Sequence, residues 1–242
     1  IAVARAVRPV VVDGRLDEWS SDGFFRTRRD EAAVGAGEWI EGRMMHDERH
    51  LYVAARVGDP TPMRNCVNPQ LDPRLIWHGG GLQLFLSVDR DMGWPAEAAH
   101  PRYFQERGLV AGLADVQKAE NPKLMSLFMW HHAASGKDRL AITRRIACDD
   151  VEIDPQGARG VFVKAADGKG YTLEYAIPWA VLGADDDPPR SGDTLAVAWD
   201  LHLSDETGRL WRDQIIDIRN PAEPRGIFLF ERAATWGRAE FR

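Results

Sequence analysis

The sequence predicts an all-β protein, an antiparallel β-sandwich of the immunoglobulin-like or jelly-roll-like kind. Four segments of the 242-residue chain alternate apolar and other residues with a period of two, which is typical of strands with one buried face. Turn-forming pairs such as Asp13-Gly14 and Asp167-Gly168 separate these segments. No segment carries the broad apolar stripe of an amphipathic helix. Many short strands joined by tight turns favour two packed antiparallel sheets.

The four clearest strands follow from this alternation, because every second residue in each of them is apolar. They are predicted at 51–57, 82–88, 171–177 and 195–203. In the second strand, three leucines form one face and Gln83 lies on the other. The third strand ends at Pro178-Trp179, where a single helical turn begins that Gly183 closes.

Two segments interrupt the strand pattern. Residues 60–80 contain four prolines and lead into Gly81 through two further glycines, so we expect a long loop there. Residues 89–122 contain three prolines and few alternations, which predicts a long inserted loop with one short helix near 96–106. Composition does not shift along the chain, and this predicts one domain over residues 1–242.

Charge and hydropathy exclude several classes of function. The formal net charge is −6, so no basic surface favours nucleic acids or anionic lipids. No apolar run reaches about 18 residues, so we expect no insertion into a membrane. The chain starts at Ile1 rather than Met, which is compatible with a leader removed from an exported protein. Cys66 and Cys148 could form one disulfide in such a protein or remain two thiols, and the sequence leaves both open.

Tryptophan is frequent, with nine residues against four tyrosines. Indole rings fill cores because each buries a large area. They also stack on the apolar faces of sugar rings, so an excess of them suits a carbohydrate-binding surface. The sequence leaves both roles open for any single tryptophan.

Five short motifs follow one another along nearly the whole chain. They are Asp13-Gly14-x-Leu16-Asp17-Glu18-Trp19, His46-Asp47-Glu48-Arg49-His50-Leu51-Tyr52-Val53 running to Asp59, Trp77 before Gln83-Leu84-Phe85-Leu86, Glu174-x-x-Ile177-Pro178-Trp179, and Pro224-x-Gly226-Ile227-Phe228-Leu229. In this order they resemble the family 9 carbohydrate-binding modules and their DOMON-like relatives. The resemblance implies a β-sandwich that holds a ligand and catalyses no reaction.

The resemblance also implies binding residues. In sugar-binding members of that family, two tryptophan rings clamp a terminal glucose or xylose unit, and polar side chains contact its hydroxyls. By motif position, Trp77 is similar to the first ring, Asp59 to a polar contact, and Gln83 to a carboxylate that is an amide here. Arg64 and His78 lie close to these positions in the chain and are candidates for further polar contacts.

The second ring of the family has no direct counterpart. Its motif position falls near Asn220-Pro221, where this chain has no indole. Trp211 or Trp94 could replace it if the fold brings one of them to the site. In this respect the chain is closer to the DOMON-like branch than to the xylanase modules.

Asp13 and Asp17 flank the first tight turn. Related modules carry structural ions, and Ca²⁺ is bound by several carboxylate and carbonyl oxygens, so these two side chains are candidate calcium ligands. Ordinary turn chemistry explains them equally well, with Asp13 capping the bend and Asp17 facing water.

An alternative ligand is haem b, because some DOMON-like domains hold it through one Met and one His or Lys. His131 and His132 are neighbours on a predicted strand and therefore face opposite sides of it. Met63, or else Met44 or Met45, could pair with one of them as axial ligands of an electron-transfer site. Packing methionines and hydrogen-bonded histidines are the other interpretation.

Catalytic motifs are missing from the sequence: it has no serine nucleophile elbow, zinc-protease helix, phosphate loop or four-cysteine zinc site. We therefore expect a non-catalytic module that recognises a sugar or a polysaccharide end by aromatic stacking. It would belong to a larger exported protein, outside the cell or in the periplasm. The alternatives are the haem-binding electron-transfer domain and a structural domain that uses residues 89–122 as a contact surface.

Overall fold

The computed structural model describes residues 1–19, 24–28, 37–71, 73–98, 120–145, 150–217 and 233–242. Within these ranges the chain forms thirteen strands, two short 3₁₀ helices and no α-helix. The strands are β1 (Ala2–Arg5), β2 (Phe25–Arg28), β3 (Trp39–His46), β4 (His50–Gly58), β5 (Gly81–Ser87), β6 (Leu124–His132), β7 (Lys137–Arg144), β8 (Asp150–Ile153), β9 (Arg159–Lys164), β10 (Gly170–Pro178), β11 (Thr194–Ser204), β12 (Trp211–Asp217) and β13 (Gly237–Phe241). The 3₁₀ helices are Pro73–His78 and Ala233–Thr235. The predicted all-β class is confirmed.

All thirteen strands belong to one curled sheet. Its order is β8-β7-β6-β5-β11-β13-β1-β3-β4-β10-β9, with β12 attached to β11 and β2 attached to β3. Strands β5 to β8, β11 and β12 form one half of a sandwich, and β2 to β4, β9 and β10 form the other. Between the halves, β1 runs parallel to both β13 and β3. Every other pairing between the described strands is antiparallel, as predicted.

The main core lies between the two halves and consists of the residues at alternate positions of each strand. In β5, the side chains of Leu82 and Leu84 are fully buried there, whereas Gln83 is half-buried on the outer face. In β11, Trp199 and Leu201 face the same core. Burying one such side chain stabilises the fold by about 1.5–3 kcal/mol, so the alternation decides which face of each strand turns inward.

The first turn is held against β10 by Glu174. The Oε2 atom of Glu174 accepts hydrogen bonds from the backbone N–H groups of Asp13 and Gly14, each at 3.0 Å, and its Oε1 atom accepts one from the Trp19 indole at 2.7 Å. Gly14 has a φ of 77°, and a Cβ atom there would lie 2.5 Å from Val163 Cγ2. The first and fourth sequence motifs therefore meet as one structural unit.

The predicted insertion separates two neighbouring strands. β5 and β6 pair along their lengths, yet residues 88–123 lie between them in the chain. Residues 99–119, which include most of the predicted short helix, lie outside the described residues. Just before them, Ala96 and Ala98 pack in an outer cluster that contains Trp236.

Three smaller predictions concern the rest of the chain. The turn after β10 ends at Gly183 with a φ of 66°, as expected. Cys66 is half-buried and Cys148 lies outside the described residues, so their pairing stays a prediction. Among the helices that the structure describes, none has the length and hydropathy needed to cross a lipid bilayer.

Candidate functional site

Polar side chains cross the outer face of the half that contains β5, β6 and β11. Gln83 lies at their centre, because its register partner on β11 is Asp200 and its partner on β6 is Phe128. Ser126 and His202 lie diagonally across from Gln83 on the same face. We call Gln83, Ser126, Asp200 and His202 the polar strip. All of its members except Gln83 are buried.

Hydrogen bonds connect the polar strip. The Gln83 amide donates to Ser126 Oγ at 3.1 Å, and Gln83 Oε1 lies 3.1 Å from His202 Nε2. His202 Nδ1 lies 3.0 Å from the carbonyl oxygen of Trp77, which can only accept. Because both ring nitrogens face acceptors, this network suits the doubly protonated imidazolium form of His202.

A carboxylate lies beside this imidazole. Asp200 Oδ2 is 3.4 Å from His202 Nε2, and the two side chains are only 8% and 7% exposed. Burial lowers the pKa of His202, but the negative charge and hydrogen bond of Asp200 outweigh it, so the pKa of His202 is raised above its ordinary value. The polar strip therefore places a buried imidazole beside a buried carboxylate, and this neighbour favours the protonated ring.

One oxygen of this carboxylate has no donor. Asp200 Oδ1 is buried and lacks a hydrogen-bond partner among the described residues. Leaving a buried acceptor unpaired costs roughly 1–3 kcal/mol, and native proteins seldom retain such groups without a reason. Asp200 Oδ1 is thus an unpaired acceptor without exposed surface, and a ligand donor would reach it only if a neighbouring side chain moves.

Aromatic rings lie beside the polar strip on the β6 side. Trp77 is half-buried on the 3₁₀ helix Pro73–His78 and packs in a cluster with Phe128 and Trp130. The His78 ring follows with its centroid 6.4 Å from that of Trp77. Trp77 is therefore partly packed and partly open to solvent, and its own backbone carbonyl is the one that binds His202.

Hydrogen bonds connect the loop before the helix Pro73–His78 to this helix and to the end of β11. The amide of Asn65 donates to the carbonyl of Ile76 at 2.8 Å. The carbonyl of Arg64 accepts a hydrogen bond from Ser204 Oγ at 2.7 Å, and its exposed guanidinium donates to the carbonyl of Glu206 at 2.5 Å. Arg64 thus lies at the β11 end of the polar strip, and its charged group is directed to backbone.

Asp59 is turned towards its own loop. It is 2% exposed, and its Oδ1 atom accepts hydrogen bonds from the backbone N–H of Thr61 at 2.8 Å and from its hydroxyl at 3.2 Å. Burial raises the pKa of Asp59, and the bonds from Thr61 and the charge of Arg212 limit the rise. In this position Asp59 shapes the loop that carries Arg64, and its contact with a ligand stays a prediction.

Of the residues that the sequence singled out for a ligand, Gln83 belongs to the polar strip and Trp77 contacts it through its carbonyl oxygen. His78 lies next to the Trp77 ring, and Arg64 lies at the β11 end of the strip. Asp200 and His202 belong to none of the predicted motifs. The one signal for them was their shared face in the predicted strand 195–203.

A second aromatic ring is available on β12. The family's second ring position, near Asn220, lies outside the described residues. Trp211 is 49% exposed and pairs in register with Ser204, so its side chain lies on the polar-strip side of the sheet. The indole of Trp94 instead donates to the carbonyl of Trp236 at 3.1 Å, within the outer cluster at the far end of this face. Trp211 is therefore the better-placed replacement.

The two aspartates proposed for calcium have partners within the first turn. Asp13 Oδ1 accepts a hydrogen bond from the backbone N–H of Arg15 at 2.9 Å, and Asp17 pairs with the Arg15 guanidinium at 3.0 Å. Across the ranges described, no three His, Cys, Asp or Glu side chains form a metal-binding group. Turn chemistry thus accounts for both residues, and calcium stays a prediction.

The histidines proposed for haem also have partners. His131 Nδ1 lies 2.7 Å from Asp138 Oδ1, and His132 Nδ1 lies 2.7 Å from Ser135 Oγ. Burial, followed by nearby positive charges, lowers the pKa of His132.

The three candidate methionines pack against apolar side chains. Met63 packs against the main core, where Met44 is fully buried, and Met45 is buried in a separate outer cluster. These contacts are those of packing residues, and a haem b site stays a prediction.

Comparison with known proteins identifies the fold. No protein-family model matches the sequence, and neither does any curated protein. Solved structures do match over the full length of the chain. A family 9 carbohydrate-binding module from Caldicellulosiruptor kristjanssonii in complex with cellotriose gives a TM-score of 0.60 at 14% identity, with 93% of that chain covered. Its complex with glucose gives 0.57 at 13% identity, with 96% covered.

A third structure agrees with these two. It is a protein from Bacteroides uniformis ATCC 8492 for which carbohydrate binding has been suggested, with a TM-score of 0.56, 10% identity and 98% of that chain covered. At such identities the similarity concerns the fold. The resemblance predicted from the five motifs is confirmed at that level: the chain has the β-sandwich fold of the family 9 carbohydrate-binding modules.

Proposed function

We propose that this chain is a non-catalytic carbohydrate-binding module whose sugar site is the polar strip beside Trp77. The observation that carries the proposal is the partly open indole of Trp77 beside the polar strip, whose Asp200 Oδ1 atom lacks a donor. A pyranose ring offers several hydroxyl donors and an apolar face of C–H groups on one small molecule. The structurally similar module was solved with glucose and cellotriose. Oligosaccharides of β-linked glucose are therefore the first ligands to test.

Two contacts would provide most of the binding free energy. The apolar face of the sugar stacks on the open surface of Trp77, and such ring contacts contribute about 0.5–1.5 kcal/mol beyond the area buried. A sugar hydroxyl donates to Asp200 Oδ1, and hydrogen bonds to charged groups contribute about 1.5–3 kcal/mol. His202 holds the carboxylate in place, and the half-buried Gln83 can contact a neighbouring hydroxyl.

Trp211 would contact a second sugar unit. Its exposed indole pairs in register with Ser204, two residues beyond His202 along β11 and just past a β-bulge. A ring at that position suits an oligosaccharide that extends along the polar strip rather than a single monosaccharide. The module would then bind a chain end or a short stretch of chain.

A module that binds without catalysing a reaction assists an enzyme that is linked to it. A module that holds the polysaccharide raises the local concentration of a linked catalytic domain at its substrate. We place this chain in a larger exported protein, outside the cell or in the periplasm, on the resemblance described above.

Calorimetric titration with cellotriose, xylotriose and maltotriose tests this function. Saturable binding of one of them by the wild-type protein, and loss of that binding in Trp77→Ala, is the expected result. Leu75→Ala is the matched control, because Leu75 lies exposed on the same 3₁₀ helix. No binding of any of the three sugars by a folded wild-type protein would contradict the proposal.

A further inference from the structure

A second concave surface lies on the outer face of the other half of the sandwich. Cross-strand register places Val163, Thr172 and Arg56 side by side on β9, β10 and β4. Glu41 is the register neighbour of Arg56 on β3, and Trp39, two residues earlier on the same strand, lines the groove together with residues of the first turn and of the β9–β10 turn. The open space measures about 510 Å³. We call it the β9–β10 groove.

The groove is rich in positive charge although the protein as a whole is acidic. Its lining includes four basic residues and two acidic ones, and the guanidinium of Arg56 also lies 3.8 Å from Glu41, in a chain whose formal net charge is −6. Lys164 and Lys169 are exposed, and neither forms an ion pair with another described residue. Arg15 pairs with Asp17 at 3.0 Å and so contributes little net charge. The two lysines are the cations available to a ligand.

The walls of the groove are fixed independently of these lysines. The hydroxyl of Thr172 donates to the carbonyl of Gly14 at 2.7 Å, and Glu174 holds the same turn from below. Asp167 Oδ1 accepts a hydrogen bond from the backbone N–H of Lys169 at 2.9 Å. Asp167 therefore shapes the β9–β10 turn through the backbone, and the lysine ammonium group is left to solvent.

An indole in the lining distinguishes this groove from a simple anion site. Trp39 is half-buried, with the guanidinium of Arg26 4.4 Å from its ring centre, and it lines the groove beside Arg56. A free inorganic anion gains nothing from an indole surface, whereas a sugar ring that carries an acidic group uses both the ring and the cations.

We propose that the β9–β10 groove binds an anionic saccharide. The carboxylate or sulfate groups of the saccharide pair with Lys164 and Lys169, and a sugar ring contacts Trp39. The site shares no residue with the polar strip and lies on the opposite half of the sandwich, so it is a second binding site of the molecule. It does not depend on the function proposed for the polar strip.

The test measures binding of the full chain to polygalacturonate, dextran sulfate, uncharged dextran and polyglutamate, at low and at high salt. The double variant Lys164→Glu/Lys169→Glu is compared with Lys123→Glu/Lys137→Glu, which changes the net charge equally but lies on the other half of the sandwich. Circular dichroism establishes that each variant is folded. Because neither double variant changes a residue of the polar strip, a loss of polygalacturonate binding is distinguished from a loss of cellotriose binding.

We expect the wild-type protein to bind polygalacturonate or dextran sulfate but not dextran, and to release it at high salt. Two reversed charges should weaken that binding on the order of tenfold in the groove variant, and less than about threefold in the control. The tighter of the two polymers identifies carboxylate or sulfate as the recognised group. Equal effects of the two double variants, equal binding of polyglutamate, or no binding of either acidic polysaccharide would each overturn the proposal.

Discussion

Replacing Asp200 by Asn probes the proposed sugar site most directly, because the substitution keeps the shape of the side chain and removes its charge. The side chain is 8% exposed, so the change acts in buried surroundings. A hydrogen bond from a sugar hydroxyl to a charged acceptor contributes about 1.5–3 kcal/mol, against about 0.5–1.5 kcal/mol for a neutral acceptor. The difference of about 1–1.5 kcal/mol corresponds to roughly tenfold weaker binding of cellotriose.

The Asp200→Asn substitution also changes the pKa of His202. Without the carboxylate, only the hydrogen bond to the Trp77 carbonyl opposes the effect of burial, so the pKa of His202 falls relative to the wild type. The imidazole of the Asp200→Asn protein then loses a proton at a lower pH than in the wild type, and one of its nitrogens becomes an acceptor. We therefore expect the pH at which cellotriose affinity declines to be lower in the variant, in addition to the weaker binding at every pH.

Calorimetric titration of cellotriose across a pH series measures both effects in one experiment. Asp186→Asn is the control, because Asp186 is an exposed aspartate in a loop outside the polar strip. Cellotriose affinity that stays within about twofold of the wild-type value in Asp200→Asn would show that Oδ1 receives no sugar hydroxyl. The argument for the polar strip as the binding site would then be wrong.

Three further predictions concern stability and ligand length. Because the pKa of His202 is raised in the folded protein, its pair with Asp200 stabilises the fold fully below the ordinary pKa of 6.5, and this contribution is lost as pH rises through the raised value. Urea titration should show the free energy of unfolding falling over that pH range in the wild type, and Asp200→Asn should not show this fall. Gly14→Ala should lower the free energy of unfolding by about 1–3 kcal/mol in urea, more than Gly192→Ala, since both glycines have positive φ but only a Cβ at Gly14 meets a neighbouring side chain. Trp211→Ala should weaken cellotriose binding by roughly 2- to 12-fold and leave glucose binding nearly unchanged, and equal losses for both sugars would exclude the second subsite.

The strands could be read from the sequence because their signal is local. A strand with one buried face repeats every two residues, and the leucines that alternate with Gln83 show this within a single segment. The same holds for β11, where alternate residues such as Trp199 and Leu201 enter the core. The parallel pairing of β1 has no such signal, because it depends on which strands lie on either side of it.

The candidate site was only partly readable, because its contacts are long-range. Gln83 was found through a motif, but its hydrogen-bond partner His202 is 119 residues further along the chain. In the sequence, Asp200 and His202 look like the solvent-facing positions of a half-buried strand. His202 is buried with its Nδ1 atom on the carbonyl oxygen of Trp77, a contact with the helix before β5 that no local pattern shows.

The first turn also depends on a contact between residues that are far apart in the sequence. Asp13 and Asp17 resemble ion ligands when the segment is read alone. In the structure, the anion that organises this turn is Glu174, which accepts the Gly14 N–H from 160 residues away. The Glu174 carboxylate accepts from the Asp13 and Gly14 N–H groups and from the Trp19 indole, which explains how this turn is fixed, and calcium at Asp13 and Asp17 stays a prediction.

The two proposed sites should bind their ligands independently. They use outer faces on opposite halves of the sandwich, and the buried residues of the main core lie between them. Among the described residues, the segment from Gly58 to Arg64 connects the two faces, because it begins beside the groove and ends at Ser204. Asp59 fixes this segment through two hydrogen bonds from Thr61. The ion pair of Arg212 on β12 with Glu38, at 2.6 Å, also joins the two halves. A segment held in one arrangement has no second state for either ligand to favour, so the coupling free energy should be near zero.

Saturating cellotriose should thus leave the affinity for polygalacturonate unchanged within about twofold. A larger change, abolished by Asp59→Asn, would show instead that this segment has two arrangements and transmits binding from one face to the other.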